Sequence, residues 1–194
     1  MIRKLNRAFT LIELMIVVAI VGILAVLAIF GVRKYVANAK TAEARNALGQ
    51  MGKDQSTEFE KEYLAGGVMG AGSSSTISRT LCLSATQAVP KDPLSIQGKK
   101  YQPDPTSGMD WNKDDLALNT GFACLKFSME APQYFQYLFT SDAANKASGT
   151  TWLATAHGDL NGDTVVSTFT LAGAVTPTQD FILGPSIGEV DPEE

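Results

Sequence analysis

The sequence predicts an α+β fold in which one long N-terminal helix packs on a four-stranded antiparallel sheet. Residues 9–64 contain no proline and carry apolar residues at helical spacing, which indicates one long helix. From residue 122 onward, apolar and polar residues alternate with a period of two, which is typical of strands with one buried face. Because the two patterns occupy separate parts of the chain, we expect the helix to lie against the sheet.

Composition limits the classes of protein to which the chain can belong. Of its 194 residues, 45% are hydrophobic and 19% are charged, so it is too apolar for a disordered protein and too short for a transporter with many spans. The formal net charge of −4 disfavours nucleic-acid binding by the bulk of the chain. One histidine and two cysteines are too few for most zinc sites and histidine-dependent triads. A globular protein with room for one membrane segment remains.

A run of 22 residues, 9–30, is largely apolar and contains one charged residue, Glu13. As a helix it reaches about 33 Å, against a hydrocarbon core of about 30 Å. The run follows a basic start with Arg3, Lys4 and Arg7. It is longer than the apolar region of a secretory signal peptide, which has about 7–15 residues. We therefore expect a membrane-spanning helix that the mature protein keeps.

The basic residues do not orient this helix, because they flank it at both 3–7 and 33–40. The cysteines give a separate indication. Cys82 and Cys124 are one distant pair without a CxxC pattern, which is typical of a structural disulfide formed in an oxidising compartment. We therefore expect the large C-terminal part of the chain to lie outside the cytoplasm.

Glu13 is unusual for a plain membrane anchor. An ionisable residue within a spanning helix costs about 2.5–3.5 kcal/mol, so we expect it to have a partner and a function. If the basic start were removed after Ala8, the new amine of Phe9 would lie one helical turn before Glu13. The carboxylate could pair with the amine of its own chain or with that of a neighbouring helix. In the second case the pair would set the register between subunits.

The residues RAFTLIELMIVVAIVGILAVLAI, at 7–29, resemble the N-terminus of type IV pilins and of the pseudopilins of type II secretion. The resemblance implies cleavage between Ala8 and Phe9 by a prepilin peptidase, with N-methylation of Phe9. Ala8 stands where the family usually has Gly, and Phe30 followed by Gly31 replaces a common Pro. Because Pro would kink the helix and Gly only weakens it, we expect any melting on assembly at Gly22 or Gly31.

The resemblance also implies a function. The chain would be the structural subunit of a type IV pilus, a helical homo-oligomer that serves attachment, twitching motility or DNA uptake. It would be a precursor in the inner membrane, would be assembled by an inner-membrane platform and an assembly ATPase, and would end in the extracellular pilus. The alternative within the family is a pseudopilin of a type II secretion system. Neither is an enzyme.

The chain divides into five segments. They are a basic leader at 1–8, a membrane or filament-core helix at 9–30, its amphipathic continuation at 31–64, a connecting loop region at 65–120, and the antiparallel sheet with a C-terminal tail at 121–194. One face of the continuation is expected to dock on the sheet, and its upper part is expected to face other subunits as well. This face contains Val32, Val36, Ala39, Leu48, Met51, Phe59 and Tyr63. In the loop region, we expect Asp104, Asp110, Asp114 and Asp115 to form a solvated acidic face.

Four strands are predicted, at 122–130, 133–141, 151–159 and 164–172. The last two are expected to be joined by a tight hairpin at Asn161-Gly162. The apolar face of the sheet should include Phe122, Leu125, Phe127, Trp152 and Phe169, and the aromatic residues Tyr134, Phe135, Tyr137 and Phe139 should be divided between the core and the sheet surface. The tail from Gly173 should lie over the domain and end in a frayed acidic segment.

The sequence carries no catalytic signature. There is no GxSxG, HExxH, Walker or GxGxxG motif, and the only histidine available to Ser128 or Ser167 is His157, which we expect at the surface.

A weak calcium pattern stands at Asp159, Asn161 and Asp163, three oxygen-bearing side chains at alternate positions. Gly162 comes one place too early for an EF-hand, and Thr170 stands where the bidentate Glu would be. We therefore expect a plain hairpin without a cofactor, with calcium as the alternative.

Overall fold

The computed structural model describes residues 9–64, 70–74, 77–142 and 149–193. The two helices are α1 (Leu11–Glu60) and α2 (Gly121–Leu125), and three short 3-10 helices lie at Pro93–Ile96, Asp110–Asn112 and Leu116–Leu118. The strands are β1 (Tyr63–Leu64), β2 (Ile77–Ser78), β3 (Gln136–Ser141), β4 (Thr151–Gly158), β5 (Ser167–Val175), β6 (Phe181–Leu183) and β7 (Gly188–Val190). The predicted leader at 1–8 lies outside the described residues.

Helix α1 is a single rod of 50 residues, about 75 Å long at 1.5 Å per residue. It begins after Thr10, which caps its first turn, and it ends where Lys61 adopts an extended backbone conformation. The predicted end at Leu64 is wrong by four residues. The chain leaves the helix because Tyr63 and Leu64 pair with Ser78 and Ile77 as a two-stranded ribbon.

The sheet has five strands rather than the four predicted, and all its pairs are antiparallel. Strands β3, β4 and β5 lie side by side in chain order. Strands β6 and β7 share the far edge of β5: β6 pairs with residues 173–175 and β7 with residues 168–170. The segment predicted as a tail over the domain therefore completes the sheet.

The predicted strand at 122–130 is wrong, because residues 121–125 form α2. Phe122 and Leu125 are three residues apart, a spacing that places both side chains on one face of a helix but on opposite faces of a strand. Long-range contacts decide between the two. The Asp114 carboxylate accepts hydrogen bonds from the Phe122 N–H (3.1 Å) and from the Thr86 hydroxyl (2.6 Å), and the Gly121 N–H donates to the Leu83 carbonyl (2.9 Å).

The predicted tight hairpin at Asn161-Gly162 is also wrong. Strand β4 ends at Gly158 and β5 begins at Ser167, so eight residues connect them. Asp159 is buried, and its carboxylate accepts hydrogen bonds from the Gly162 N–H (2.6 Å) and the Thr164 N–H (3.0 Å). These bonds hold a wider loop than a two-residue turn.

The core lies between the C-terminal half of α1, the sheet and α2. Leu48, Met51 and Phe59 are buried in it as predicted, whereas Val32, Val36 and Ala39 are exposed. The docking face therefore begins nine residues later than predicted, and its buried members are Thr41, Ala44, Ala47, Leu48, Met51, Gly52, Gln55, Glu58 and Phe59. At Gly52 the helix comes so close that an added Cβ would lie 3.0 Å from side-chain atoms of Leu171 and Leu183.

Five residues were predicted on the apolar face of the sheet, and all five are buried: Phe122, Leu125, Phe127, Trp152 and Phe169. The first three lie in α2 and the segment after it rather than in the sheet. In the aromatic run, Phe135, Tyr137 and Phe139 are fully buried, and Tyr134 is half-buried with Lys40 and Lys100 over its ring. The predicted acidic face is wrong in part. Asp110 is buried and accepts hydrogen bonds from the Tyr101 hydroxyl (2.7 Å) and the Asp104 N–H (2.7 Å).

Candidate assembly surface on the N-terminal helix

The first half of α1 is an apolar surface whose large apolar side chains are exposed rather than packed on the domain. Every large apolar side chain from Phe9 to Val32 is more than half exposed, and none of the described helix residues before Thr41 is buried. Contiguous apolar surface of this length is unfavourable in water and marks an interaction site. By length and composition, the helix is able to cross a membrane.

Glu13 forms the first turn of α1 together with Thr10. One carboxylate oxygen of Glu13 accepts hydrogen bonds from the Thr10 N–H (2.9 Å) and hydroxyl (2.8 Å), and the Thr10 Oγ1 accepts from the Glu13 N–H (3.3 Å). This is a capping box, and it holds a carboxylate beside the N-terminus of the helix. The sequence analysis did not identify Thr10 as the helix cap, although Thr-x-x-Glu before an apolar run is the usual sequence signal of a capping box.

The predicted processing site lies at the edge of the described chain. Ala8 lies outside the described residues, whereas Phe9 precedes the cap, is not helical and is 77% exposed.

Gly22 and Gly31, where melting is predicted, lie inside the continuous helix. A Cβ added at either would meet no atom within 4 Å, so packing within this chain does not require glycine there.

Two ion pairs fasten the C-terminal segment to α1. The Arg45 guanidinium donates to both carboxylate oxygens of Glu189 (2.6 and 2.9 Å), and the Lys34 ammonium lies 2.9 Å from the Glu193 carboxylate. The hydrogen bond from Arg45 lowers the pKa of Glu189 below its usual value. The acidic end was expected to fray, but its residues hold β7 and the chain after it against the helix.

The disulfide joins Cys82 to Cys124, and both residues are buried. It ties the region before β3 to α2, with a Cα–Cα distance of 5.8 Å. The loop that it closes contains the short 3-10 helices. The connecting region is therefore fixed to the core at both ends.

The calcium pattern forms a loop whose oxygens bond to the main chain. Asp159 bonds as described above, Asp163 accepts from the Val165 N–H (2.8 Å) and the Asn161 side-chain amide (3.1 Å), and the Asn161 Oδ1 accepts from the Asp163 N–H (2.9 Å). Within the described part of the chain, no group of three or more His, Cys, Asp or Glu is arranged to hold a metal ion.

His157 is half-buried in β4, not at the surface, and burial lowers its pKa. Its Nδ1 lies 3.0 Å from the Thr168 hydroxyl, while the Ser167 hydroxyl donates to the Gly158 carbonyl (2.8 Å). Among residues 9–64, 70–74, 77–142 and 149–193, neither Ser128 nor Ser167 forms a hydrogen bond with this histidine.

Comparison with known proteins identifies the N-terminal segment. The prokaryotic N-terminal methylation motif matches residues 3–29, which contain the capping box and most of the exposed half of α1. No curated protein and no solved structure gives a significant match to the chain. The long N-terminal helix beside an antiparallel sheet agrees with the pilin-like layout. The motif at residues 3–29 therefore confirms the resemblance of this chain to the type IV pilin and pseudopilin family.

Proposed function

We propose that the protein is a pilin, the structural subunit of a type IV pilus that serves attachment, twitching motility or DNA uptake. One observation carries the proposal: a single helix is exposed and apolar over its first half and docked in a folded domain over its second half. The first half needs an apolar environment and the second half already has one. A helical bundle of such first halves, with the sheet domains outside, supplies that environment.

In the proposed assembly, the apolar half of α1 exchanges one apolar environment for another. Lipid covers the apolar half in the precursor, and copies of the same segment cover it in the filament. Contacts between unlike faces of identical subunits generate open helical arrays when the rotation between neighbours does not close a ring. In such an array the Glu13 carboxylate, held by the capping box, is placed to meet the Phe9 amine of a neighbour and so to set the axial register.

The proposal includes a processing route. A prepilin peptidase cuts between Ala8 and Phe9, and Phe9 is then N-methylated, which leaves an amine next to the capping box. The inner-membrane platform and the assembly ATPase then move the subunit from the inner membrane into the extracellular pilus. Intact-mass analysis should show a chain that starts at Phe9 with one added methyl group. A mature chain that starts at Met1 would overturn this step.

Electron microscopy of cells with and without the gene tests the function. A pilin deletion should remove surface filaments, and the wild-type copy should restore them. The alternative function is a pseudopilin of type II secretion, which shares the motif at residues 3–29. In that case deletion would leave surface filaments intact and would block the release of secreted proteins. Both measurements on one deletion strain separate the two functions.

A further inference from the structure

A cleft of about 450 Å³ opens in the connecting region, away from the assembly surface. Its walls are two chain segments, 102–105 and 128–130, and Trp111 and Asn112 also line it. The Trp111 ring is held from behind by Phe122 and Phe127, with ring centroids 4.7 and 5.3 Å away. The cleft therefore has a fixed aromatic wall.

The two walls are the ends of an interrupted strand pair. Tyr101 and Gln133 pair in antiparallel fashion through two main-chain hydrogen bonds of 2.9 and 2.8 Å. Beyond this pair the ladder stops, since Pro103 and Pro105 have no N–H to donate. The Gln102 side-chain amide instead reaches across to the Glu130 carbonyl (2.8 Å). The segments thus separate and leave room between them.

One wall presents free main-chain groups. The backbone N–H and C=O of Ser128 and Met129 form no hydrogen bonds to other described residues. The indole N–H of Trp111 is buried and also has no acceptor within the described part of the chain. Main-chain groups in this state are the ones that an added peptide strand pairs with.

The charged side chains that line the cleft are all acidic. Asp104 and Glu130 line it, and no Lys or Arg is among the residues that do. Hydrogen bonds from Thr106 lower the pKa of Asp104, so this carboxylate is ionised at neutral pH. Glu130 is exposed and forms no ion pair with any described residue. Trp111, Met129 and the two prolines offer apolar surface beside the carboxylates.

We propose that this cleft binds an extended peptide segment that carries lysine or arginine. Its main chain pairs with Met129, which lies four residues before Gln133 and therefore faces the same side in an extended chain, and its basic side chain lies between Asp104 and Glu130. The aliphatic stem of that side chain rests on Met129 and the prolines. The site does not depend on filament formation, so it stands or fails independently of the pilin proposal.

Binding is measured by fluorescence anisotropy of a labelled Val-Lys-Val-Lys-Val peptide added to the full chain in non-ionic detergent. We expect saturable binding that Glu130→Gln weakens about threefold, the size typical of one exposed charge pair. Glu60→Gln is the matched control, since it removes an exposed carboxylate elsewhere, and it should leave the affinity unchanged. Equal affinity for Glu130→Gln and wild type would overturn the placement of the cation.

Changes in the peptide test the main-chain pairing. A version with N-methyl groups on alternate amides keeps the charge but loses its donors, and it should bind about tenfold more weakly because the strand pairs are lost. The Val-Glu-Val-Glu-Val peptide should not bind, because it meets carboxylates of its own sign. Equal binding of the methylated peptide, or full competition by free lysine at the same concentration, would replace the peptide site by a simple amine site and overturn the proposal.

Discussion

The two halves of α1 have the same secondary structure and opposite surroundings. From Leu14 to Val32 the helix is apolar on all sides and exposed, and from Thr41 to Phe59 only one face is apolar and that face is buried. A helix that is apolar all round belongs in a membrane or in a bundle, and one with a single apolar face belongs at the edge of a core. The distribution of apolar residues, rather than helix propensity, decides what each half contacts.

The largest expected effect concerns the exposed half. In Glu13→Ala the capping box is lost. In the filament that we propose, the Phe9 amine of a neighbour would then have no carboxylate to meet in the apolar core. We expect filaments to disappear from electron micrographs while the monomer still accumulates in the inner membrane. Thr10→Val is the companion variant, since it removes the cap and keeps the carboxylate. Normal filaments in Glu13→Ala would refute the assembly role.

The disulfide gives the next effect, and it acts on the folded domain against which the second half of α1 is docked. Cys82 and Cys124 close a loop of 43 residues, for which the chain-entropy description gives about 4 kcal/mol as an upper value. The double variant Cys82→Ser/Cys124→Ser should lower the unfolding free energy of the domain and leave membrane insertion of the precursor unchanged. The readouts are near-UV circular dichroism during denaturation and membrane fractionation. Free thiols in protein purified without reductant would show that the bond does not form.

A matched pair of leucines compares the two halves directly. Leu48 is fully buried, whereas Leu24 is 58% exposed in the same helix. Leu48→Ala should cost the domain about 2–5 kcal/mol through lost burial and the cavity left behind. Leu24→Ala should leave the domain's denaturation curve unchanged, since that residue has no contact with it. Equal losses of domain stability in the two variants would mean that the first half also packs on the domain.

The two halves also differ in how far sequence could predict them. The features of the exposed half follow from local sequence patterns. Its length, its apolar character and the unusual charge at Glu13 could therefore be predicted from the sequence alone. The docked half depends on distant partners. Strands β6 and β7 have three residues each and exist through their pairing with β5, and Arg45 meets Glu189 across 144 positions. No local pattern at 122–130 showed that Asp114 would favour a helix there.

A smaller, pH-dependent effect is expected at the ion pair that fastens the tail to α1. The pKa of Glu189 is lowered in the folded state by Arg45, so the stabilisation is present above the carboxyl's ordinary pKa. It is lost as the pH falls through the lowered folded value. The pair is partly exposed, and such pairs contribute at most about 1 kcal/mol.

Glu189→Gln tests this dependence. The variant should melt slightly below wild type at pH 7, and the difference should narrow as the pH falls through the lowered pKa of Glu189 and its carboxylate becomes protonated. Glu43 is expected to have the opposite effect on the pH dependence of stability. Burial raises the pKa of Glu43 in the folded protein, so this carboxyl favours the folded state at low pH and favours it less as the pH rises. A gap between wild type and Glu189→Gln that does not narrow in acid would mean that the contact is not an ion pair.

The smallest expected effect is that of calcium on the loop after β4. Asp159 and Asp163 already accept main-chain hydrogen bonds, and a cation would have to compete with them for carboxylate oxygens. We therefore propose a loop held by its own Asx bonds, and we expect millimolar calcium to leave the melting temperature unchanged. Asp163→Ala should then lower the melting temperature by the same amount with and without calcium. A calcium-dependent rise in wild type that disappears in Asp163→Ala would instead show a cation site, with Asp159 and Asp163 as its carboxylate ligands and Asn161 between them.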